Sequence, residues 1–218
     1  MIDDKKQTLE AIKKDKLALR CASEGLQDDK EVVLLALINN GLALREASER
    51  LKDDKEVVLR AVGFRPFALF YASERLKDNK EVALIAVKGN GYILDSVSKK
   101  LRNNTSVILA AVKNSGKVLR AASKRLKNDK KVALIAVSNN GLALEHVSKR
   151  LQKDIEIVET ALVNNIESLI YCDFKVLPQI NLSLYTMEQR ERMYLEFSKN
   201  SSEDDIFLLA KVKKHFLS

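Results

Sequence analysis

Apolar and small residues recur along the chain with a period of 25. Leu19, Leu44, Leu69, Leu94, Leu119 and Leu144 share one slot, and Leu26, Leu51, Leu76, Leu101, Leu126 and Leu151 share another. Ala36, Ala61, Ala86, Ala111, Ala136 and Ala161 hold a third, and Ser23, Ser48, Ser73, Ser98, Ser123 and Ser148 a fourth. Within Asp28–Lys52, Val32, Val33, Ala36 and Leu37 make an apolar face at helical spacing, widened by Leu34 and Leu35. Asp28 reads as the N-cap, with Glu31 completing a capping box. Asn39-Asn40-Gly41 reads as a stop, with Gly41 suited to a left-handed backbone. A second helix, also of about ten residues, is predicted to point Leu42, Leu44, Ala47, Ser48 and Leu51 inward, its serine bonding back to a carbonyl one turn earlier.

A hairpin this short cannot bury its own apolar face, so its neighbours must stack on it. The prediction is an all-α fold, an α-solenoid of six to seven 25-residue helical hairpins. The repeats fall near 3–27, 28–52, 53–77, 78–102, 103–127, 128–152 and 153–177. Gln7, Thr8 and Glu10 stand where later repeats are mostly apolar, as expected of a terminal repeat with one wet face. Beyond residue 177, Thr186 with Gln189 and Ser202 with Asp205 open two helices, read as a C-terminal helical cap over 178–218.

The D-K-E-V-V-L-x-A-L run at Asp29–Leu37, the turn at Asn40-Gly41 and L-x-x-A-S-x-x-L at Leu44–Leu51 resemble the short two-helix repeats of domain-of-unknown-function family 4116. The resemblance covers about residues 3–165. It implies no activity and no catalytic residues. Members resemble proteins of bacteria and protists, including bacteria living inside host cells, so a host-directed bacterial protein is one expectation, by analogy.

Charge changes the picture. Residues 97–153 hold 14 Lys and Arg against 2 Asp and Glu, whereas residues 1–96 hold 17 of each. Glu24, Glu49 and Glu74 become Lys99, Lys124 and Lys149, and Asp28, Asp53 and Asp78 become Asn103, Asn128 and Lys153. Glu31 and Glu56 become Ser106 and Lys131. Losing acids at helix starts forfeits about 0.3–1 kcal/mol each, so the exchange works against local stability. Lys99, Lys100, Arg102, Lys124, Arg125, Lys127, Lys130, Lys131, Lys149, Arg150 and Lys153 are expected on one edge, a basic ridge about 20–30 Å long at helix-packing spacing. The alternative is an ordinary solvated edge. No Phe, Tyr or Trp lies between residues 97 and 153, which disfavours base stacking and an aromatic membrane anchor.

Aromatic residues change the third repeat. Pro66 replaces the turn glycine, and Phe64, Phe70 and Tyr71 occupy mostly polar slots. Together they read as an exposed second anchor beside Arg60 or Arg65, or as core that refills a turn distorted by Pro66. Phe67 and Tyr92 sit in a slot that is usually apolar and is assigned to packing.

Chemistry is sparse. His146 and His215 have no second ligand at metal spacing, and no nucleotide-binding glycine loop occurs, so no metal, cofactor or catalytic residue is assigned. Cys21 and Cys172 read as unpaired thiols, Cys172 in a core slot. The longest apolar run, Val32–Ile38, is too short to span a membrane, and MIDDKKQ lacks a signal-peptide plan, so a cytoplasmic setting is expected. The leading expectation is a non-enzymatic protein-interaction scaffold whose basic ridge docks an acidic protein surface. The alternative partner is nucleic acid, held by sequence-independent phosphate contacts. A third reading is an enzyme site after Asn165, built from residues such as Asp173, Tyr185, Glu188 or His215.

Overall fold

A computed structural model describes residues 2–199 together with Lys213 and Lys214. The second expected C-terminal helix, opened by Ser202, lies outside the described residues apart from Lys213 and Lys214, as does His215. The fold is all-α, an α-solenoid of 25-residue repeats, with no strand among the described residues beyond an isolated bridge between Ile2 and Ala22. Two compact units divide the chain, one ending at Asn114 and the other beginning at Ser115.

The first unit contains five ten-residue helices: α1 (Lys5–Lys14), α2 (Lys30–Asn39), α3 (Lys55–Phe64), α4 (Lys80–Gly89) and α5 (Thr105–Asn114). The second contains α6 (Lys130–Asn139), α7 (Ile155–Asn164) and the longer α8 (Met187–Lys199). The expected apolar face is the core: Val32, Val33, Ala36 and Leu37 are buried, as are their counterparts in α3 to α7. In α1, Gln7 and Glu10 face water, but Thr8 is fully buried and its hydroxyl has no partner among the described residues.

Three local expectations are corrected. The cap of α2 is Asp29, whose carboxylate accepts from the N–H groups of Glu31 and Val32 at 2.9 and 3.3 Å. Asp28 is occupied elsewhere: it accepts from the Ser48 hydroxyl and from Arg50 Nε at 3.0 Å, both at the far end of the same repeat.

The second element is not a ten-residue α-helix. It is a six-residue 3-10 segment, Gly41–Glu46, then an extended Ala47 (φ −71°, ψ 156°), then a four-residue helix, Glu49–Lys52. The break lets the Ser48 N–H reach the previous repeat, donating to the Gln27 carbonyl at 3.0 Å. The Ser48 hydroxyl therefore caps the short helix, accepting from Leu51 N–H at 3.2 Å, instead of bonding backwards. Ser73 repeats this pattern with the Lys52 carbonyl and Ser148 with that of Lys127. Three-residue turns also move Leu42 out of the core, where it is 38% exposed, and bring Ala43 in.

Gly41 is not left-handed, and no described residue has a positive φ. Close approach is what excludes a side chain here. A Cβ on Gly41 would lie 2.9 Å from the Ala61 carbonyl oxygen, and one on Gly91 would lie 2.7 Å from that of Ala111. Repeats therefore meet backbone to backbone.

Candidate functional site

Three turn glycines, Gly91, Gly116 and Gly141, sit in a clasp between repeats. Gly91 N–H donates to Asn114 Oδ1 at 2.8 Å, Gly116 N–H to Asn139 at 2.6 Å and Gly141 N–H to Asn164 at 2.6 Å. Pro66 has no N–H to donate. The facing slot is then not asparagine but Gly89, where a Cβ would lie 2.6 Å from Pro66 Cγ. Proline and glycine form a matched pair, so the turn is refilled without help from the aromatics. Phe64 and Phe70 are 46% and 50% exposed, and Tyr71 is half-buried beside Arg45.

Sequence reasoning placed Phe67 in packing, yet it is 43% exposed and its ring lies 5.7 Å from that of Phe70. The sequence held no distinctive signal for this, because a three-residue spacing suits an α-helix and a 3-10 turn alike.

The basic residues divide by their partners. In the first unit Lys99 is exposed without an ion pair among the described residues, Lys100 reaches Asp78 at 3.2 Å, and Arg102 is half-buried. In the second unit Lys124, Lys131 and Lys149 are exposed and likewise make no ion pair among the described residues. Arg125 is exposed. Arg150 donates through Nε to Asn128 Oδ1 at 2.9 Å, and Lys153 lies 3.3 Å from Asp173. Lys130 is a brace: its ammonium bridges Asp154 and Glu156 of the next repeat at 2.9 and 2.8 Å, as Lys30 bridges Asp54 and Glu56.

Lys127 stands apart. Its counterparts Lys52 and Lys77 are largely covered but each meets a carboxylate three residues earlier, Glu49 or Glu74, at 2.8 Å. In its own repeat that carboxylate is replaced by Lys124. Burial accordingly pushes the Lys127 ammonium below its ordinary pKa, and no ion pair among the described residues offsets it. Nearby His146 is half-buried and its pKa is lowered, first by burial and then by Lys127 and Arg120 against the opposing pull of Glu145.

The residues proposed for an enzyme site do other things. Asp173 pairs with Lys153 and accepts from Lys175 N–H at 3.0 Å, Tyr185 is buried with its hydroxyl 3.5 Å from the Glu159 carbonyl, and Glu188 is exposed. A cavity of about 900 Å³ beside α7 is lined by none of the three; of its carboxylates, Asp154 and Glu156 are bound to Lys130 and Glu159 accepts from the Asn181 N–H. Among the described residues, no cluster of His, Cys, Asp and Glu could hold a metal, and no helix is long and apolar enough to cross a membrane.

A family model with the description Domain of unknown function (DUF4116) matches six overlapping stretches: 4–52, 29–77, 54–102, 79–127, 104–152 and 129–176. The chain belongs to this family. Each match spans two successive repeats, the unit within which the serine and asparagine contacts are made. No curated protein matches the chain, and no solved structure does.

Proposed function

We propose that the chain is a non-enzymatic protein-interaction scaffold, and that the lysine-rich surface of its second unit docks an acidic protein. The observation that carries this reading is the exchange at Lys124. It removes the carboxylate that would pair with Lys127, leaving a half-buried ammonium beside a second cation. Packing gives no reason for that exchange, whereas an incoming carboxylate would supply the missing partner. Lys131 and Lys149 add exposed positive charge, and the absence of aromatic residues from 97–153 favours carboxylates over bases. Lys99, Lys100 and Arg102 give the last repeat of the first unit the same character.

The test compares an Asp- and Glu-rich peptide with a random-sequence DNA duplex as probes, by fluorescence anisotropy at two salt concentrations. The proposal expects the peptide to bind, and Lys124→Glu with Lys149→Glu to weaken it. Duplex binding that collapses with salt, without peptide binding, would replace this reading with phosphate recognition.

A further inference from the structure

The 3-10 segments of the first unit carry a second surface, one that uses none of the lysines of residues 97–153. In a 3-10 turn, positions three apart eclipse. Each repeat therefore presents an outward pair: Leu17 with Arg20, Leu42 with Arg45, Phe67 with Phe70, and Tyr92 with Asp95. Leu17, Leu42, Phe67 and Tyr92 are 44%, 38%, 43% and 49% exposed. The segments Ala18–Cys21, Gly41–Glu46, Pro66–Tyr71 and Gly91–Ser96 pack side by side in order, so these residues form the rungs of a ladder. Contiguous exposed apolar surface of this kind marks an interaction site. The same slots in the second unit hold Lys117, Leu142 and Glu167 and form no such ladder.

Spacing identifies the occupant. Stacked elements repeat at about 8–10 Å. A polyproline II strand has three residues per turn and rises about 3.1 Å per residue, so every third side chain returns to one face after about 9 Å. Such a strand sets one residue on each rung. An α-helix, about 10–12 Å across, needs a wide groove, and its 3.6-residue period drifts against a single file of rungs. Exposed aromatic rings are the surfaces on which proline rings dock. Charge sets the remaining positions. Lys16 and Arg20 are exposed without ion pairs among the described residues, and with Leu17, Leu42, Tyr71 and the paired Arg45 and Glu46 they line a cavity of about 190 Å³, room for one side chain.

We infer that residues 17–95 bind an extended, proline-rich segment of another protein, with acidic residues between its prolines. The probe is a labelled peptide of four Pro-Pro-Glu triplets, one for each rung, compared with a Pro-Pro-Lys version and an acidic amphipathic helical peptide. The Pro-Pro-Glu peptide is expected to bind best. Tyr92→Ser and Arg20→Glu, both exposed and outside the core, should each weaken it about tenfold. Lys124→Glu with Lys149→Glu should leave it unchanged, which separates this surface from the acidic-partner site. Phe67→Ser is a further variant, with circular dichroism confirming that it folds. No binding of the Pro-Pro-Glu peptide, equal binding by Tyr92→Ser, or tighter binding of the helical peptide would overturn the inference.

Discussion

Lys153 Nζ lies 3.3 Å from Asp173 Oδ2, and this ion pair is the serine–aspartate contact of the other repeats rewritten. Elsewhere a serine hydroxyl meets an aspartate or asparagine twenty positions earlier, as Ser148 meets Asn128 at 2.6 Å. At the last step the acid has moved to the serine slot and a lysine has taken the acid's place. Lys153→Asp alone should set two carboxylates face to face and destabilise the chain by about 0.5–1 kcal/mol, the scale of a surface pair. Adding Asp173→Ser should recover most of that loss. Chemical denaturation of the two variants checks it.

Pro66 and Gly89 should be coupled in the same sense. Gly89→Asn drives a side chain into the proline ring and is expected to cost about 1–3 kcal/mol. Pro66→Gly with Gly89→Asn rebuilds the clasp seen between Gly91 and Asn114, and should be more stable than Gly89→Asn alone. A double-mutant cycle measures the coupling.

Acid should loosen the first unit through three carboxylates. The Ser48 hydroxyl and then Arg50 hold the Asp28 carboxyl below its ordinary pKa, Ser73 and Arg75 do the same for Asp53, and Ser98 and Lys100 for Asp78. A depressed folded pKa contributes stability that is present above the unfolded value of about 3.9 and is lost as pH falls through the folded value. Asn128 makes the same contacts without titrating. Asp28→Asn with Asp53→Asn should therefore fold normally at pH 7 and lose less stability than the parent between about pH 4 and pH 2. Denaturation midpoints across that range decide the matter.

The two thiols should differ sharply. Cys21 is exposed, whereas Cys172 is buried, with its sulfur 3.1 Å from the Leu169 carbonyl, and burial pushes its thiol up to about 12. A thiol reagent at pH 8 should titrate one cysteine in the native chain and both in denaturant. Rapid native modification of Cys172 would contradict its placement in the core.

Much of the fold was legible because a 25-residue period repeats every packing requirement several times. Leu44, Ala36 and Val32 could be placed in the core from their spacing alone. The second helix was misjudged because LALREASERLK has good helical propensity throughout. What breaks it is the Ser48 N–H reaching the Gln27 carbonyl, a bond between repeats that no local pattern encodes. The basic residues were legible as types but not as partners. Lys130 and Lys131 are adjacent and look alike, yet Lys130 is tied to carboxylates 24 and 26 positions away while Lys131 faces water. The ladder was missed because its apolar slot was read on a 3.6-residue helix rather than a three-residue turn.

The central claim is that lysine at position 124 serves binding at the expense of packing. The direct measurement is the thermal stability of Lys124→Glu alongside its affinity for an Asp- and Glu-rich peptide. The introduced carboxylate would pair with Lys127 as Glu49 does with Lys52, so stability should rise by about 0.3–0.5 kcal/mol. Peptide affinity should fall, by about tenfold once Lys149→Glu is added. A chain that is destabilised by Lys124→Glu, or that binds the peptide unchanged with both substitutions, would contradict the account.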